Sequence, residues 1–344
     1  MVRGRKVRRS FLPSVTIIVV LVSMFQACRD HEEAVALDPA PIRLQVVRLD
    51  SILFHTDDLN AASRMAQAEA RNLYPYYVEQ VLAIGPVDDP RLAIGLSRFV
   101  NEPDWIEVQR RIEEVFGDWE EEIEGLEEAF GRLHTAFPDS IIPQIVLYNA
   151  GFNYGIFPTD SSLGIGVEWF IGRDHPVVQA LAPEQFPHYL KERMVPAMLV
   201  PSAVKGWLLV HYQADQRGMD LLERMVHRGK VLVLLEALLP TTERHLLFGY
   251  SPDQLAWCEA NELNIWRELV SKELIYTKDD REIARLLSDG PFTHGFPRES
   301  PGNLGEWLGY NMVRSYLVAQ ERPSFQELFG SVESRTVLRT YKPR

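Results

Sequence analysis

Apolar positions recur at helical spacing through most of the chain and change to short β-branched runs at only three places. The clearest period lies in residues 104–137. Val108, Ile112, Val115, Trp119, Ile123, Leu126, Phe130, Leu133 and Phe137 follow one another at steps of three and four, which puts them on one helix face. Gly117, Gly125 and Gly131 weaken a single rod, so a broken helix pair is expected. Nine acids and no base lie between Glu113 and Glu128. They read as a solvated back to the stripe, with a partner- or cation-binding face as the lesser alternative.

Residues 59–84 read as helical with a bend at Tyr74-Pro75, because proline removes a helix donor. Residues 187–212 read as helical with interruptions at Pro196 and Pro201, and 220–239 as a helix apolar on most faces, which belongs in a core. Ser251-Pro252-Asp253-Gln254 has the form of a capping box with proline at the first helical position, opening a helix to about residue 274. The stripe of that helix carries one acid, Glu262. A final helix is expected over 305–317, after a glycine- and proline-rich loop at 289–303. The strand candidates are 43–49, 141–148 and 163–170.

Length and charge sharpen this picture. The 344 residues suit one or two domains with a sizeable core. A net charge of −12 argues against general nucleic-acid binding. Two cysteines exclude a disulfide scaffold.

The N-terminus is different in kind from the rest. Arg3, Arg5, Lys6, Arg8 and Arg9 precede an apolar run from Phe11 to Phe25, and Cys28 follows Ala27. This is the layout of a secretory signal. The fifteen residues of this run span about 22 Å as a helix, short of a ~30 Å hydrocarbon core. Cys28 after a small residue resembles a bacterial lipobox, although Phe25 and Gln26 depart from its favoured residues. Residues 1–27 are expected to be a signal peptide, Cys28 the lipidated residue, and 28–41 a tether. Loss of the five basic residues takes the formal charge from −12 to −17, so acyl chains, not charge, would hold the body to a membrane.

No catalytic or metal motif stands out. No two of the nine histidines are four residues apart, so no His-Glu-x-x-His exists. Gly-x-Ser-x-Gly and dinucleotide fingerprints are also missing. Three constellations remain. Asn153 and Tyr154 sit in a glycine-flanked turn after a strand. Trp257 and Glu262 share the capped helix, where a carboxylate on an apolar face has a raised pKa unless paired. Glu299 and Tyr310 flank the glycine-rich entry to the last helix. For each, ordinary turn, core or helix–loop packing is the competing reading.

Several blocks together resemble the gliding-motility lipoprotein family GldB of Bacteroidota. They are VVRLDSILF (46–54), LYPYY (73–77), IPQIVLYNAGFNYGIF (142–157), GIGVEWFIGRDHP (164–176), GYSPDQLAWCEANELNIW (249–266) and RESPGNLGEWLGYNMVRSYL (298–317). The resemblance implies a membrane-attached protein that works beside the gliding motor and the type IX secretion machinery. It brings no catalytic residues. A weaker likeness is to zincin-like metallopeptidases, with the metal motif missing and Arg228 standing where an acid would be expected.

The expected fold is α+β, mostly helical with a small sheet, on a scaffold similar to a degenerate metallopeptidase. The body is expected over 42–344, with a helical part at 42–137 and a zincin-like part at 138–344. The expected function is non-enzymatic support of gliding or secretion through protein partners, from a lipid anchor on the cell envelope. No cofactor, metal or nucleic acid is expected. The alternative is a periplasmic hydrolase, peptidase or peptide-binding module, with a cleft around Asn153, Glu262 and Glu299.

Overall fold

Gln144–Tyr148 (β2) is the centre of the architecture. Its alternate side chains feed two apolar cores, because successive strand residues point to opposite faces. Ile145 and Leu147 join the larger core, and Val146 and Tyr148 the smaller. The computed structural model describes residues 36–320 and 322–344, besides Met1. The signal segment and Cys28 lie outside the described residues. Val35–Arg344 is one compact unit, and its larger core draws on side chains from both sides of residue 137.

Val46–Arg48 (β1) and Ser162–Gly166 (β4) flank β2 and run parallel to it. Ile156–Pro158 (β3) closes the sheet antiparallel to β4, in the order β1-β2-β4-β3. The β-branched run from Arg43 is thus a strand for only three residues. It passes directly into helix α1 (Leu49–Phe54). Residues 163–170 are likewise only half strand, since Val167–Phe170 turn as a 3-10 helix.

The helices follow the apolar periods. After α1 come α2 (Leu59–Glu69) and α3 (Tyr74–Tyr76), which runs on into a π-helical turn at Tyr77–Val81. The expected 59–84 helix is interrupted just before Tyr74-Pro75, at residues 70–73, and Pro75 sits in the first turn of α3. Helix α4 (Leu92–Val100) had no forecast. The long stripe divides into α5 (Pro103–Phe116) and α6 (Glu120–Ala136), parted by Gly117 in a positive-φ conformation. Its acidic back is not wholly solvated. Glu127 accepts from the Arg43 guanidinium at 2.9 Å and the Leu44 N–H at 3.1 Å. Residues of the expected tether also lie on α6. Ala40 N–H bonds the Gly131 carbonyl, Arg132 donates to the Leu37 carbonyl and Thr135 to that of Asp38.

Beyond the sheet come α7 (Pro176–Ala180), α8 (His188–Lys191) and α9 (Leu199–His211). The expected 187–212 helix is broken across residues 192–198, where Pro196 opens a short 3-10 turn. Helix α10 (Leu221–Leu238) buries 14 of its 18 residues, as its apolar faces require. Next stand α11 (Arg244–Phe248), α12 (Pro252–Ser271) and α13 (Asp280–Leu287). Ser251 and Gln254 form the expected capping box, with reciprocal bonds of 3.1 and 3.0 Å. Helix α14 (Leu304–Ala319) matches the last predicted helix but does not end the fold. Two short helices, α15 (Phe325–Gly330) and α16 (Ser334–Thr340), follow it and pack Phe325, Leu328 and Val337 into the core. The described residues are 56% helical with a small mixed sheet, an α+β fold.

Candidate functional site

Two helices whose backbones touch build a charged cleft. Helices α10 and α14 cross at glycines. A Cβ on Gly309 would lie 1.9 Å from the Met225 carbonyl oxygen, and one on Gly229 2.2 Å from the Gly309 oxygen. Only glycine permits that approach. Gly229 is preceded by Arg228, and Gly309 stands one turn after Glu306. The crossing therefore sets the two charges side by side. Helix α9 supplies the third. Gly206 lets it close on Ile156 of β3, and Lys205 beside that glycine reaches Glu306.

Lys205 Nζ donates to Glu306 Oε2 at 3.0 Å, and Arg228 NH1 donates to Oε1 at 3.2 Å. The Glu306 side chain is 5% exposed, against 20% for Lys205 and 29% for Arg228. Removing a carboxylate from water costs several kcal/mol, and two cations with good hydrogen bonds offset that cost. The position of Glu306 in the first turn of α14 adds the favourable end of the helix dipole.

This triad lies in the wall of a cavity of about 540 Å³, between α9, α10, α11 and α14. Trp169, Phe170, Met194, Met198, Leu246 and Phe248 give it apolar walls. Arg193 pairs with Asp289 at 2.8 Å and completes the charged lining. A second cavity of about 810 Å³ shares Arg193, Met198, Leu246 and Gly249 with the first and extends past Tyr189, His245 and Gln254.

The turn after β2 is organised by another buried acid. Gly151 and Phe152 both adopt positive φ, 60° and 64°. Glu168 Oε1 accepts the backbone N–H groups of Ala150 and Phe152, each at 3.0 Å. Glu168 is wholly buried and its Oε2 has no partner. Burial pushes its carboxyl up to about 8; the N–H bonds pull it down, and the nearby Asp50 carboxylate adds a smaller push upward. Asp50 is itself buried, held by Arg48 at 2.7 and 2.8 Å and by Gln109 at 3.1 Å.

The residues singled out from the sequence do not meet at the cleft. Asn153 and Tyr154 are exposed at the tip of the turn that Glu168 holds. Trp257 is half-buried against the core. Glu262 is 9% exposed and accepts from the Tyr341 hydroxyl at 2.8 Å. Burial raises its pKa, and the Tyr341 bond and Arg344 oppose the rise. Glu299 is exposed, beside a buried Ser300 that bonds within its own loop. Tyr310 is buried and donates to Glu236 at 2.6 Å, with Arg314 at 2.9 Å from its oxygen. Among the described residues no hydrogen bond, ion pair or ring contact joins any two of these six, and none of the six lines the 540 Å³ cavity. Sequence reasoning missed Lys205, Arg193, Glu306 and the role of Arg228. A signal did exist: Lys205 is the only charged residue, histidine apart, in an otherwise apolar helix, and such a charge needs a counterion from elsewhere in the fold.

Among the described residues no group of three or more His, Cys, Asp or Glu side chains is placed to hold a metal. Cys258 is buried, and burial pushes its thiol pKa up.

Comparison with known families decides the identity. The family described as gliding motility protein GldB matches residues 30–343. The chain belongs to the GldB family. No curated protein and no solved structure matches it. The GldB match takes in both cores, the cleft and the Glu168 turn, so each belongs to the family body and not to an added domain. By family, the chain is a gliding-motility lipoprotein.

Proposed function

We propose that this GldB protein supports gliding, and the type IX secretion machinery associated with it, by binding partner proteins from a lipid anchor at Cys28. The observation that carries the reading is the family match, which runs through nearly the whole exported body. Two further features support it. Cys28 directly follows Ala27 at the end of a signal-like segment. No helix among the described residues is long and apolar enough to cross a membrane, so attachment through lipid suits the described body. In this reading the role is non-enzymatic. Of the expected tether at 28–41, Leu37, Asp38 and Ala40 are hydrogen-bonded to α6.

The test is colony spreading by a deletion strain complemented with the intact gene or with Cys28→Ala. Failure to spread, rescued only by the intact gene, is the expected result. Rescue by both genes would keep the motility role and remove the anchor from it. Normal spreading without the gene would overturn the proposal.

A further inference from the structure

The cavity beside Glu306 has an unbalanced charge. Its lining carries three cations, Arg193, Lys205 and Arg228, and two anions, Asp289 and Glu306. Arg193 and Asp289 cancel as a pair at the rim. Inside, two cations share the single Glu306 carboxylate. Lys205 gives one of its three N–H donors to Glu306, and Arg228 one of its five. Neither cation has another hydrogen-bond or ion-pair partner among the described residues. This positive excess sits inside a protein whose net charge is −12, so it is a local feature of the cavity.

We propose that this cavity binds a carboxylate carried on an apolar body. A second carboxylate beside Glu306 makes a balanced set of two cations and two anions, and it takes up the unused donors of Lys205 and Arg228. A single excess charge fits a monoanion better than a phosphate dianion. The walls of Trp169, Phe170, Met194, Met198, Leu246 and Phe248 bury apolar surface, which a small inorganic anion does not offer. The volume of about 540 Å³ lies within the range of small-ligand sites. Two sources present this chemistry: a free fatty acid, and the C-terminus of a peptide whose last side chain is apolar. Carboxylate binding here rests on the cavity's own residues and not on the anchor or the gliding role.

The experiment is titration calorimetry on the purified full chain. The probes are decanoate, decanol, and an N-acetylated tripeptide ending in phenylalanine, as the free acid and as the amide. One acid should bind at least about tenfold more tightly than its neutral counterpart, the effect of one charge-assisted contact of about 1.4 kcal/mol. Whichever acid binds identifies the source. Lys205→Met should abolish the preference, and Lys205→Arg should keep it, with near-ultraviolet circular dichroism reporting the fold of each. If Lys205→Met does not fold, the acid-against-neutral comparison on the unaltered protein decides. Equal binding of acid and neutral forms would overturn the proposal, as would no binding of either acid in the millimolar range.

Discussion

Glu168 and Glu306 are both shut away from water, and the fold keeps them by opposite means. Glu306 sits in a cavity wall between two cations. Glu168 has no cation, only two backbone N–H groups on one oxygen and nothing on the other. Desolvation therefore dominates at Glu168 and favours its neutral form, whereas Glu306 is hydrogen-bonded by Lys205 and Arg228. The neutral acid acts as a brace that holds a strained turn from inside. The paired one lies in the wall of the 540 Å³ cavity. Burial alone does not tell these two acids apart; the partners and the adjoining cavity do.

The comparison breaks most completely if the helix crossing is lost. Gly309→Val would drive a side chain into the Met225 backbone, which cannot move away. The expected cost exceeds about 4 kcal/mol, read as loss of a cooperative melting transition. Near-normal melting would show that the crossing is not what joins Arg228 to Glu306.

Glu306→Leu should come next. It leaves Lys205 and Arg228 facing each other without a counterion. Their partial exposure keeps the cost below that of a fully buried pair, at about 2 kcal/mol. Urea unfolding at neutral pH measures it. Adding Lys205→Met to Glu306→Leu should recover part of the loss. No recovery would mean that packing, and not charge, explains the role of Glu306.

Glu168 sharpens the contrast through pH. Its folded pKa, about 8, lies above the ordinary value of 4.5. Below pH 4.5 both folded and unfolded states hold the proton and the stabilising contribution is complete. Between about 4.5 and 8 only the unfolded state releases it, so stability falls as pH rises and levels off above 8. Glu168→Gln keeps an acceptor for Ala150 and Phe152 and should flatten this slope, so its stability relative to the unaltered protein should rise as pH goes from about 4.5 to 8. An unchanged slope in Glu168→Gln would assign the pH dependence to other groups.

The smallest effect is expected at Asp289→Asn. This pair is half exposed, with Asp289 at 39%, and water screens it. A change within about 1 kcal/mol, shrinking further in high salt, would set it apart from the Glu306 triad.

How much was legible along the chain depended on range. Reciprocal bonds between Ser251 and Gln254 involve residues three apart, and local pattern announced them. The break of the long stripe at Gly117 was equally local. Strand β3 was missed because it has three residues, one of them proline, and exists by pairing with β4. Helices α15 and α16 were missed because each is short and finds its apolar partner only in the core. The candidate residues Asn153 and Tyr154 came from a correctly placed turn, yet the acid that shapes it, Glu168, lies 16 residues beyond Phe152.

The amino-acid order by itself determined the helical character, the caps, the division at glycines and prolines, and the membership of the family. Each rests on neighbours within a turn or on a long ordered series of motifs. Tertiary structure alone decided which charges meet. Lys205 and Glu306 are 101 residues apart, and Arg228 and Glu306 are 78 apart. They come together because Gly229 and Gly309 let two helix backbones touch, and Gly206 lets a third helix close on β3. Sequence spacing marks those glycines but does not say which helices they join, since that depends on how all the apolar faces share one core.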